Sequence, residues 1–489
     1  MTIAVRAPVD EPHAEHPRET LAHARAQWRQ SPAYRARPRL VEQTIGMLAL
    51  LFLTAGLPTE WFVVNYLTDV NAGGPLVIVV FMAFTGTLLT FSMKRPKAMF
   101  YLVVCELALM GFSLLILFSP LWSVDFGTSL RRAIALSLTT ALGLYFVSRY
   151  SLEQLLGRMS LVFVVTTVFN LVWVYALPTY GRVDGGDFTG ITTNRNALGS
   201  QAVLACLVMV FGFKARRHRF LTGLGFVGSA WLVIGTESKT SLMSLLLLGV
   251  LLIVFTTFRS RRQLFGAVIV SEITAGLFGI LIATANLAFI TDLLGRDITL
   301  TGRTILWKNL IAPIAERPIL GHGWDAFWGG WNSPAHEIWI ENNWLPPTAH
   351  NAALEYLLSI GIVGLTFWLV MMGRGLWRSI HYLRDRPGFA GLFPVAMLSY
   401  AFLYSVTEAG VVHRGIDWML LVVALVETKR FMDRNRSTLD GHRVLFQKRQ
   451  LLSRKLAARS GPPPAPSDSP TIGVVQPMTD GMSVAGPYR

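Results

Sequence analysis

The chain has 489 residues, of which 52% are hydrophobic and only 15% are charged, and its mean hydropathy is +0.46. Apolar runs long enough to cross a hydrocarbon core of about 30 Å as a helix recur along most of it, which excludes a soluble globular protein. The formal net charge of +15 lies mostly in short loops and tails between these runs. Loops on the inner side of a membrane are normally rich in Lys and Arg, and this bias explains the positive charge. A nucleic-acid-binding function is therefore not needed to explain it. Cys105 and Cys206 lie inside apolar runs, so we expect packing rather than a disulfide.

The positions of Lys and Arg in the loops divide the chain into about twelve predicted spans with both termini inside. Residues 1–39 are predicted to be a disordered cytoplasmic tail. Residues 437–489 are predicted to be a second cytoplasmic tail, basic as far as Arg459 and then rich in Pro, Ser and Gly, and this last segment is predicted to be disordered. Residues 40–436 form the predicted transmembrane domain. Its spans are Leu40–Leu57, Gly74–Ser92, Ala98–Phe118, Ala133–Ser148, Met159–Leu177, Ala197–Phe213, Phe220–Gly235, Ser241–Phe258, Leu264–Ile290, Asn351–Met372, Phe389–Val406 and Ile416–Arg430.

A long polar interval at residues 291–350 separates the ninth and tenth predicted spans and is expected to lie outside. Several cations also fall on the outer side, against the usual bias, and many of them lie at the ends of spans. Cations kept at an outer membrane surface favour an anionic ligand there. These residues are Arg131, Arg132, Arg182, Arg195, Lys239, Arg296, Arg303, Lys308, Arg317 and Arg414.

His350-Asn351 is the sharpest local signal, because Pro346 and Pro347 precede it and an apolar run follows at once. Asn351 is a natural N-cap, which leaves His350 at the mouth of a helix. The positive end of the helix dipole disfavours imidazolium, so a neutral imidazole there can take a proton from a hydroxyl nucleophile. An interfacial histidine beside a helix cap is an equally open interpretation.

Arg303 follows Gly302 in a threonine-rich stretch, and its planar guanidinium suits bidentate contact with phosphate. Lys239 lies in a short turn between the seventh and eighth spans, where it either contacts an anion or extends to lipid headgroups. Arg195 lies between two asparagines, either of which can cap the following helix.

Two carboxylates lie at the outer ends of predicted spans. Glu355 is one turn inside span ten and is expected to pair with an arginine, and Glu408 follows span eleven. Gly361 and Gly364 are interpreted as sites of close helix–helix approach. Trp324, Trp328, Trp331, Trp339 and Trp344 are interpreted mainly as an interfacial aromatic belt. His322 and His336 lack the spacing of metal ligands, so neither a metal nor another cofactor is expected.

Taken together, His350-Asn351 followed by Gly361-Ile362-Val363-Gly364 resembles the signature of the O-antigen ligase and Wzy-type polymerase superfamily. Leu300-Thr301-Gly302-Arg303-Thr304 with Trp307, Arg317-Pro318 and Gly321-His322-Gly323 resembles its exopolysaccharide branch, typified by succinoglycan polymerase. The similarity extends over roughly residues 40–430.

This resemblance implies an all-α, GT-C-like glycosyltransferase of the bacterial inner membrane, with a large periplasmic loop between helices nine and ten. It would polymerise oligosaccharide units carried on undecaprenyl pyrophosphate, without a metal ion. By position, His350 would be the catalytic base and Arg303 would bind the donor pyrophosphate with Lys239 and Arg195. Asn351, Glu355 and Glu408 would support them.

The resemblance also implies membrane lipids, a chain-length regulator and a flippase as partners. Two alternatives stay open at this point. One is a ligase that transfers finished glycan to lipid A core or to a protein. The other is a twelve-span polysaccharide transporter, which would show repeat symmetry and broken helices near the membrane midplane.

Overall fold

The computed structural model describes residues 40–55, 75–93, 96–183, 186–192, 194–213, 218–258, 303–342, 345–386, 388–409 and 415–435. The chain divides into two units, Met1–Met432 and Asp433–Arg489. Four predicted features lie outside the described residues: the tails 1–39 and 437–489, the ninth span, and the first part of the outer loop at 291–302.

The described residues are almost entirely helical, and their one extended feature is an isolated bridge between Arg182 and Phe188. Short 3-10 turns occupy Ser119–Trp122 and Phe389–Leu392. The helices are α1 Leu40–Ala55, α2 Pro75–Ser92, α3 Pro96–Cys105, α4 Leu107–Phe118, α5 Phe126–Arg149, α6 Leu152–Ala176, α7 Pro178–Gly181, α8 Arg195–Gly212, α9 Arg219–Gly235, α10 Lys239–Phe258, α11 Arg303–Asn309, α12 Ile311–Glu316, α13 Ala335–Asn342, α14 Ala352–Asp385, α15 Phe393–Thr407 and α16 at residues 415–435.

Six helices in the described part of the chain are long and apolar enough to cross a membrane, or seven if the bent pair α3 and α4 forms one span. Shorter apolar helices occupy Leu40–Thr54, Val79–Ser92 and Arg219–Gly235. The predicted class, an all-α polytopic membrane protein, is confirmed. The number of twelve spans stays a prediction, because the ninth lies outside the described residues.

The core is a continuous apolar cluster in which α8 packs against α6, α9 and α10. Side chains of α16 from Trp418 to Val426 are also buried. The Trp418 indole N–H donates to Thr140 Oγ1 of α5 at 2.8 Å, which satisfies a polar group that lipid could not. The span helices are therefore held by packing with a few internal hydrogen bonds, as expected where water is absent.

Side-chain caps define the starts of several helices, as their sequences suggest. Asp125 caps α5 through Thr128, Ser151 and Gln154 form a capping box at α6, and Asn194 caps α8 through Ala197. Of the two asparagines beside Arg195, Asn194 is therefore the cap. Helix α5 begins at Phe126, earlier than the predicted Ala133, so Arg131 and Arg132 belong to its first turns.

Contacts between helix ends bring four predicted site residues to one end of the bundle, which we call the site end. The Asn351 amide donates to Val406 O at 3.2 Å, joining the start of α14 to the end of α15. Tyr400 of α15 donates to Ser200 O near the start of α8 at 3.3 Å. Ser238 and Asn196 are 2.9 Å apart and join the starts of α10 and α8. His350, Glu408, Arg195 and Lys239 therefore all lie at the site end.

The opposite, far end carries its own buried ion pairs. Arg149 at the end of α5 contacts both carboxylate oxygens of Glu42 at 2.6 and 2.7 Å, and Tyr145 donates to the same carboxylate. Arg378 pairs with Glu106, the residue between α3 and α4. Arg374, Arg378 and Arg384 belong to α14, which continues to Asp385, whereas the sequence suggested a loop after Met372. These arginines therefore lie on a helix rather than in a loop.

Helix α14 is broken at Ile360 and Gly361, where the backbone leaves helical geometry. The loop before α13 fills the break. The His322 and Gly323 amides donate to Leu358 O and Ser359 O at 2.7 and 3.0 Å, and the Ile362 amide donates to Pro318 O at 2.9 Å. Backbone groups that the break exposes are thereby satisfied by protein, as a membrane interior requires.

Gly361 makes this arrangement possible, for a reason the sequence did not show. Its φ is +64°, and a Cβ atom there would lie 2.1 Å from Ile319 O. Gly321, with φ of +67°, meets the backbone of Ile360 in the same way, at 2.6 Å. The interpretation of Gly361 as a helix–helix contact is therefore corrected: it is the point where the backbone of the 318–323 loop packs into the break in the helix. Gly364 is packed against the Ile360 side chain of its own helix.

We predict that Gly361→Ala lowers the thermal stability of the purified protein, since the substitution combines a left-handed backbone with a backbone clash. A strained backbone conformation of this kind lowers the free energy of unfolding by about 1–3 kcal/mol, and the clash adds to that loss. Gly373→Ala on the same helix is the matched control, because a Cβ there meets nothing within 4 Å. Melting in detergent, followed by tryptophan fluorescence, should show a drop for Gly361→Ala and none for Gly373→Ala. Equal melting temperatures would contradict the insertion of the loop.

Candidate functional site

The carboxylate of Glu408 contacts two of the predicted site residues at once. Arg303 Nη2 lies 3.1 Å from its Oε1, and His350 Nδ1 lies 3.0 Å from its Oε2. The exposed fractions of the three side chains are 17%, 8% and 14% for Arg303, Glu408 and His350. We call these three residues the Glu408 cluster. The fold thus joins a cation, a carboxylate and an imidazole that come from three separate segments.

Two helix ends position this cluster. Asn351 accepts the amides of Ala353 and Leu354 at 3.0 and 3.2 Å, which confirms it as the N-cap of α14. Its own amide group reaches Val406 O of α15, next to the segment that carries Glu408. Asn351 therefore both starts one helix and holds it against the end of the other.

His350 has a left-handed backbone with φ of +49°, which is uncommon for a residue other than glycine. The residue before it is held from two sides. The Ala349 amide donates to Glu355 Oε2 at 2.7 Å, and the Ala349 carbonyl accepts the indole N–H of Trp307 at 2.9 Å. Backbone conformations of this kind persist only where the surroundings determine them, and they are concentrated at functional sites.

Glu355 is fully buried and contacts Ala349, the residue before His350. Both of its carboxylate oxygens also accept the Trp328 indole N–H, at 3.1 and 3.2 Å. The sequence suggests an arginine partner for Glu355, and this stays a prediction; Arg303 contacts Glu408. Through its hydrogen bond with the Ala349 amide, Glu355 helps to fix the position of Ala349 beside His350.

A second, smaller apolar cluster lies beside the site and includes side chains of the helix that begins with Arg303. It contains Leu306 and Leu310 of α11, Ile338 and Trp339 of α13, and Ala349. The Trp339 indole also donates to Pro346 O at 3.0 Å. Because α11 begins with Arg303, packing of this small core against Ala349 sets the distance between Arg303 and His350.

Three of the tryptophans assigned to an interfacial belt are buried inside the protein. Trp324, Trp328 and Trp339 are 2%, 4% and 8% exposed, whereas Trp331 is 61% exposed. Trp344 lies outside the described residues. Trp307, Trp328 and Trp339 each donate to the segment around Ala349 or to Glu355. Their hydrogen-bonding role was missed, since composition alone does not distinguish an indole at a lipid surface from one that holds a loop.

Arg195 and Lys239 form a second group at the site end. Arg195 pairs with Asp187, and Lys239 is exposed at the start of α10. The contact between Ser238 and Asn196 places these two segments side by side. The described ion pair of Arg195 is with Asp187. The joint action of Arg195 and Arg303 on one anion stays a prediction.

One ion pair at the site end was not anticipated. Arg132 of α5 lies 2.5 Å from Asp325, which has a left-handed φ of +59°. Nearby, the Val124 amide donates to His322 O and Ser129 donates to Trp324 O. These contacts attach the loop that breaks α14 to the start of α5. Arg132 is among the cations predicted to favour an anionic ligand, which stays a prediction; its described partner is Asp325.

His322 belongs to this loop, and its side chain is buried. Burial lowers the pKa of His322, and its Nε2 is 2.9 Å from Pro313 O. Within the described ranges, no group of three or more His, Cys, Asp or Glu side chains is placed to hold a metal ion.

In the Glu408 cluster, an imidazole ring and a guanidinium group contact the same carboxylate. A carboxylate on Nδ1 selects the tautomer whose other ring nitrogen, Nε2, accepts a proton. The guanidinium of Arg303 contacts the same carboxylate, and a guanidinium is a group suited to binding phosphate. Such a site suits transfer reactions in which a hydroxyl loses a proton while a phosphate group leaves.

Residues 224–369 match the family model described as O-antigen ligase. The chain is also similar to the exopolysaccharide production protein ExoQ of Rhizobium meliloti (strain 1021), with 29% identity over 244 residues. That match covers 45% of this chain and 54% of ExoQ, so the chain spans about half the length of this curated relative.

The resemblance to the O-antigen ligase superfamily is confirmed. ExoQ supports its exopolysaccharide branch. The segment matched by the O-antigen ligase model contains Lys239, Arg303, His350, Asn351 and Glu355. Glu408 and Arg195 lie outside that segment, so their assignment rests on the contacts described above.

We predict that Glu355→Ala destabilises the site end, because the buried donors of Trp328 and Ala349 lose their acceptor. Leaving buried donors unsatisfied costs about 1–3 kcal/mol. Glu337→Ala is the matched control, since Glu337 is exposed on α13. Limited proteolysis of the purified protein should cut the outer loop faster in Glu355→Ala alone. If protease cut Glu355→Ala no faster than the wild type, Ala349 would be held in place without Glu355.

Proposed function

We propose that this protein polymerises oligosaccharide repeat units linked to undecaprenyl pyrophosphate, at the periplasmic face of the inner membrane. The observation that carries the proposal is the Glu408 cluster, in which one carboxylate joins Arg303 to His350. The similarity to an O-antigen ligase family and to an exopolysaccharide production protein supports glycan transfer. Polymerisation is the finer step and belongs to this proposal.

In the proposed reaction, an acceptor hydroxyl on one lipid-linked chain attacks the anomeric carbon of another. A new carbon–oxygen bond forms at that carbon, and its bond to the pyrophosphate oxygen breaks. The hydroxyl proton goes to His350 Nε2, and the electron pair of the broken bond leaves with undecaprenyl pyrophosphate. No oxidant, reductant or further group is consumed.

Arg303 would hold the leaving pyrophosphate, because a guanidinium makes two parallel hydrogen bonds to phosphate oxygens. Its described partner is Glu408, and donor binding would place the phosphate against the same guanidinium group. Lys239 and Arg195, at the same end of the bundle, would stabilise the charge that develops on the leaving group. Charge stabilisation of this kind is strong near a medium of low dielectric constant.

The proposed location follows from the loop charges. Both termini would lie in the cytoplasm and residues 291–350 in the periplasm, which puts the site end on the periplasmic side. A flippase that delivers the lipid-linked unit and a chain-length regulator would be functional partners.

A ligase is the second candidate, because the family model that matches residues 224–369 is described as O-antigen ligase. It would use the same donor site and a different acceptor. A polysaccharide transporter would carry broken helices, and α14 is broken at Gly361. That break is filled by the backbone of the 318–323 loop rather than left to line a path, which favours the enzyme.

The proposal is tested with His350→Asn, since asparagine tolerates a left-handed backbone and cannot act as the base. Single-turnover polymerisation of purified lipid-linked repeat unit should fall by about 10²–10⁴, the usual contribution of a positioned base. Binding of the lipid-linked donor should stay close to that of the wild type, because Arg303 is unchanged. Gel separation of the products gives the rate, and product length distinguishes a polymerase from a ligase.

His381→Asn is the matched control, because His381 lies on the same helix at the far end. It should leave the rate unchanged. A loss smaller than about tenfold in His350→Asn would remove His350 from the mechanism, since the low end for a base is about 10².

A further inference from the structure

An apolar groove of about 410 Å³ lies between α4 and the second half of α14. Leu107 and Ala108 form one wall, and residues of α14 from Ile362 to Arg374 form the other. Ile362 and Val370 are 49% and 42% exposed, so the groove opens on the outer surface of the bundle. In a span helix that surface faces lipid, so the natural occupant of the groove is a hydrocarbon chain.

The groove is remote from the Glu408 cluster along the membrane normal. Helix α14 begins beside His350 at the site end, and the groove starts only after the break at Gly361. It ends at Arg374, one turn before Arg378 of the far-end pair with Glu106. The end of the groove that carries Arg374 therefore lies in the membrane leaflet opposite to the one at which the proposed reaction takes place.

Arg374 is the one charged residue among those that line the groove, and it is exposed. Trp377, 63% exposed, follows one turn later with its ring 4.5 Å from that of His381. An arginine at the end of an apolar channel, followed by exposed tryptophan, is the arrangement that meets a lipid headgroup at the interface. The charge favours an anionic headgroup over a zwitterionic one.

Buried polar atoms beside the same end give a second, independent indication. Glu106 directly precedes Leu107 of the groove, and Arg378 Nε donates to Arg374 O at 3.0 Å. The side chains of Glu106 and Arg378 pair with each other. Even so, the Glu106 Oε1 and Arg378 Nη2 atoms are buried and have no hydrogen-bond partner in the described part of the chain. Buried polar groups normally have partners, so a polar ligand or its water belongs next to this pair.

We propose that the groove binds one acyl chain of an anionic glycerophospholipid from the leaflet at the far end, with the lipid phosphate on Arg374. Arginine suits phosphate through paired hydrogen bonds. The chain would fill the space where α3 and α4 bend by 89°, and so hold α4 against the half of α14 that follows the break. This lipid is distinct from the donor, whose pyrophosphate belongs at the site end.

The test uses the full chain, purified in detergent and stripped of lipid, with dioleoylphosphatidylglycerol or dioleoylphosphatidylcholine added as the probe. Native mass spectrometry counts the lipids that remain bound. The wild type should retain one phosphatidylglycerol in preference to phosphatidylcholine. Arg374→Gln should reduce phosphatidylglycerol affinity by about tenfold, the scale of one charged hydrogen bond. Arg384→Gln, on the same helix beyond the groove, should leave it unchanged.

A second variant tests the position of the acyl chain. Thr366→Trp fills the groove and should lower retention of both lipids, whereas Leu369→Trp, on the same helix outside the groove lining, should not. Equal retention of the two lipids by the wild type, or full retention in Arg374→Gln or Thr366→Trp, would overturn the proposal. Displacement of phosphatidylglycerol by undecaprenyl pyrophosphate would also overturn it, by assigning the groove to the donor.

Discussion

The Glu408 carboxylate shared between Arg303 and His350 is the interaction on which the arrangement of the site depends. Burying charged groups is costly unless each is paired, and here one anion serves two cationic or ionisable partners. The three residues come from the end of α15, the start of α11 and the mouth of α14. Any movement of these helix ends would separate the groups, so the surrounding structure must keep them fixed.

That fixation is visible in the contacts around Ala349 and Gly361. Ala349 is held by Trp307 and by Glu355, and the strained backbone of His350 follows directly. Further down, the 318–323 loop supplies backbone hydrogen bonds to the broken part of α14. A reaction of the proposed kind gains from groups that are already oriented, since they need no reorganisation as charge develops. The strain at His350 is thus the local cost of holding its ring against Glu408.

Short-range patterns in the sequence predicted much of this architecture. Hydropathy and loop charge predict the membrane helices, and Asn351 is recognisable as a cap because helix starts follow local rules. The long-range partners were not predictable: Glu408 with Arg303, Asp325 with Arg132, and Trp328 with Glu355 are joined only by the fold. Gly361 was misinterpreted because a glycine in an apolar helix suits close packing and a backbone break equally well. Its left-handed conformation becomes evident only with the loop in place.

The central claim is that Glu408 and His350 act as one unit, and a double-mutant cycle in single-turnover polymerisation tests it most directly. Residues that act together are strongly non-additive. Glu408→Gln preserves the size of the side chain and removes its charge. The double variant Glu408→Gln/His350→Asn should therefore be about as slow as the slower of the two single variants. A double variant slowed by the product of the two separate losses would show that the two residues act independently, and would contradict the account.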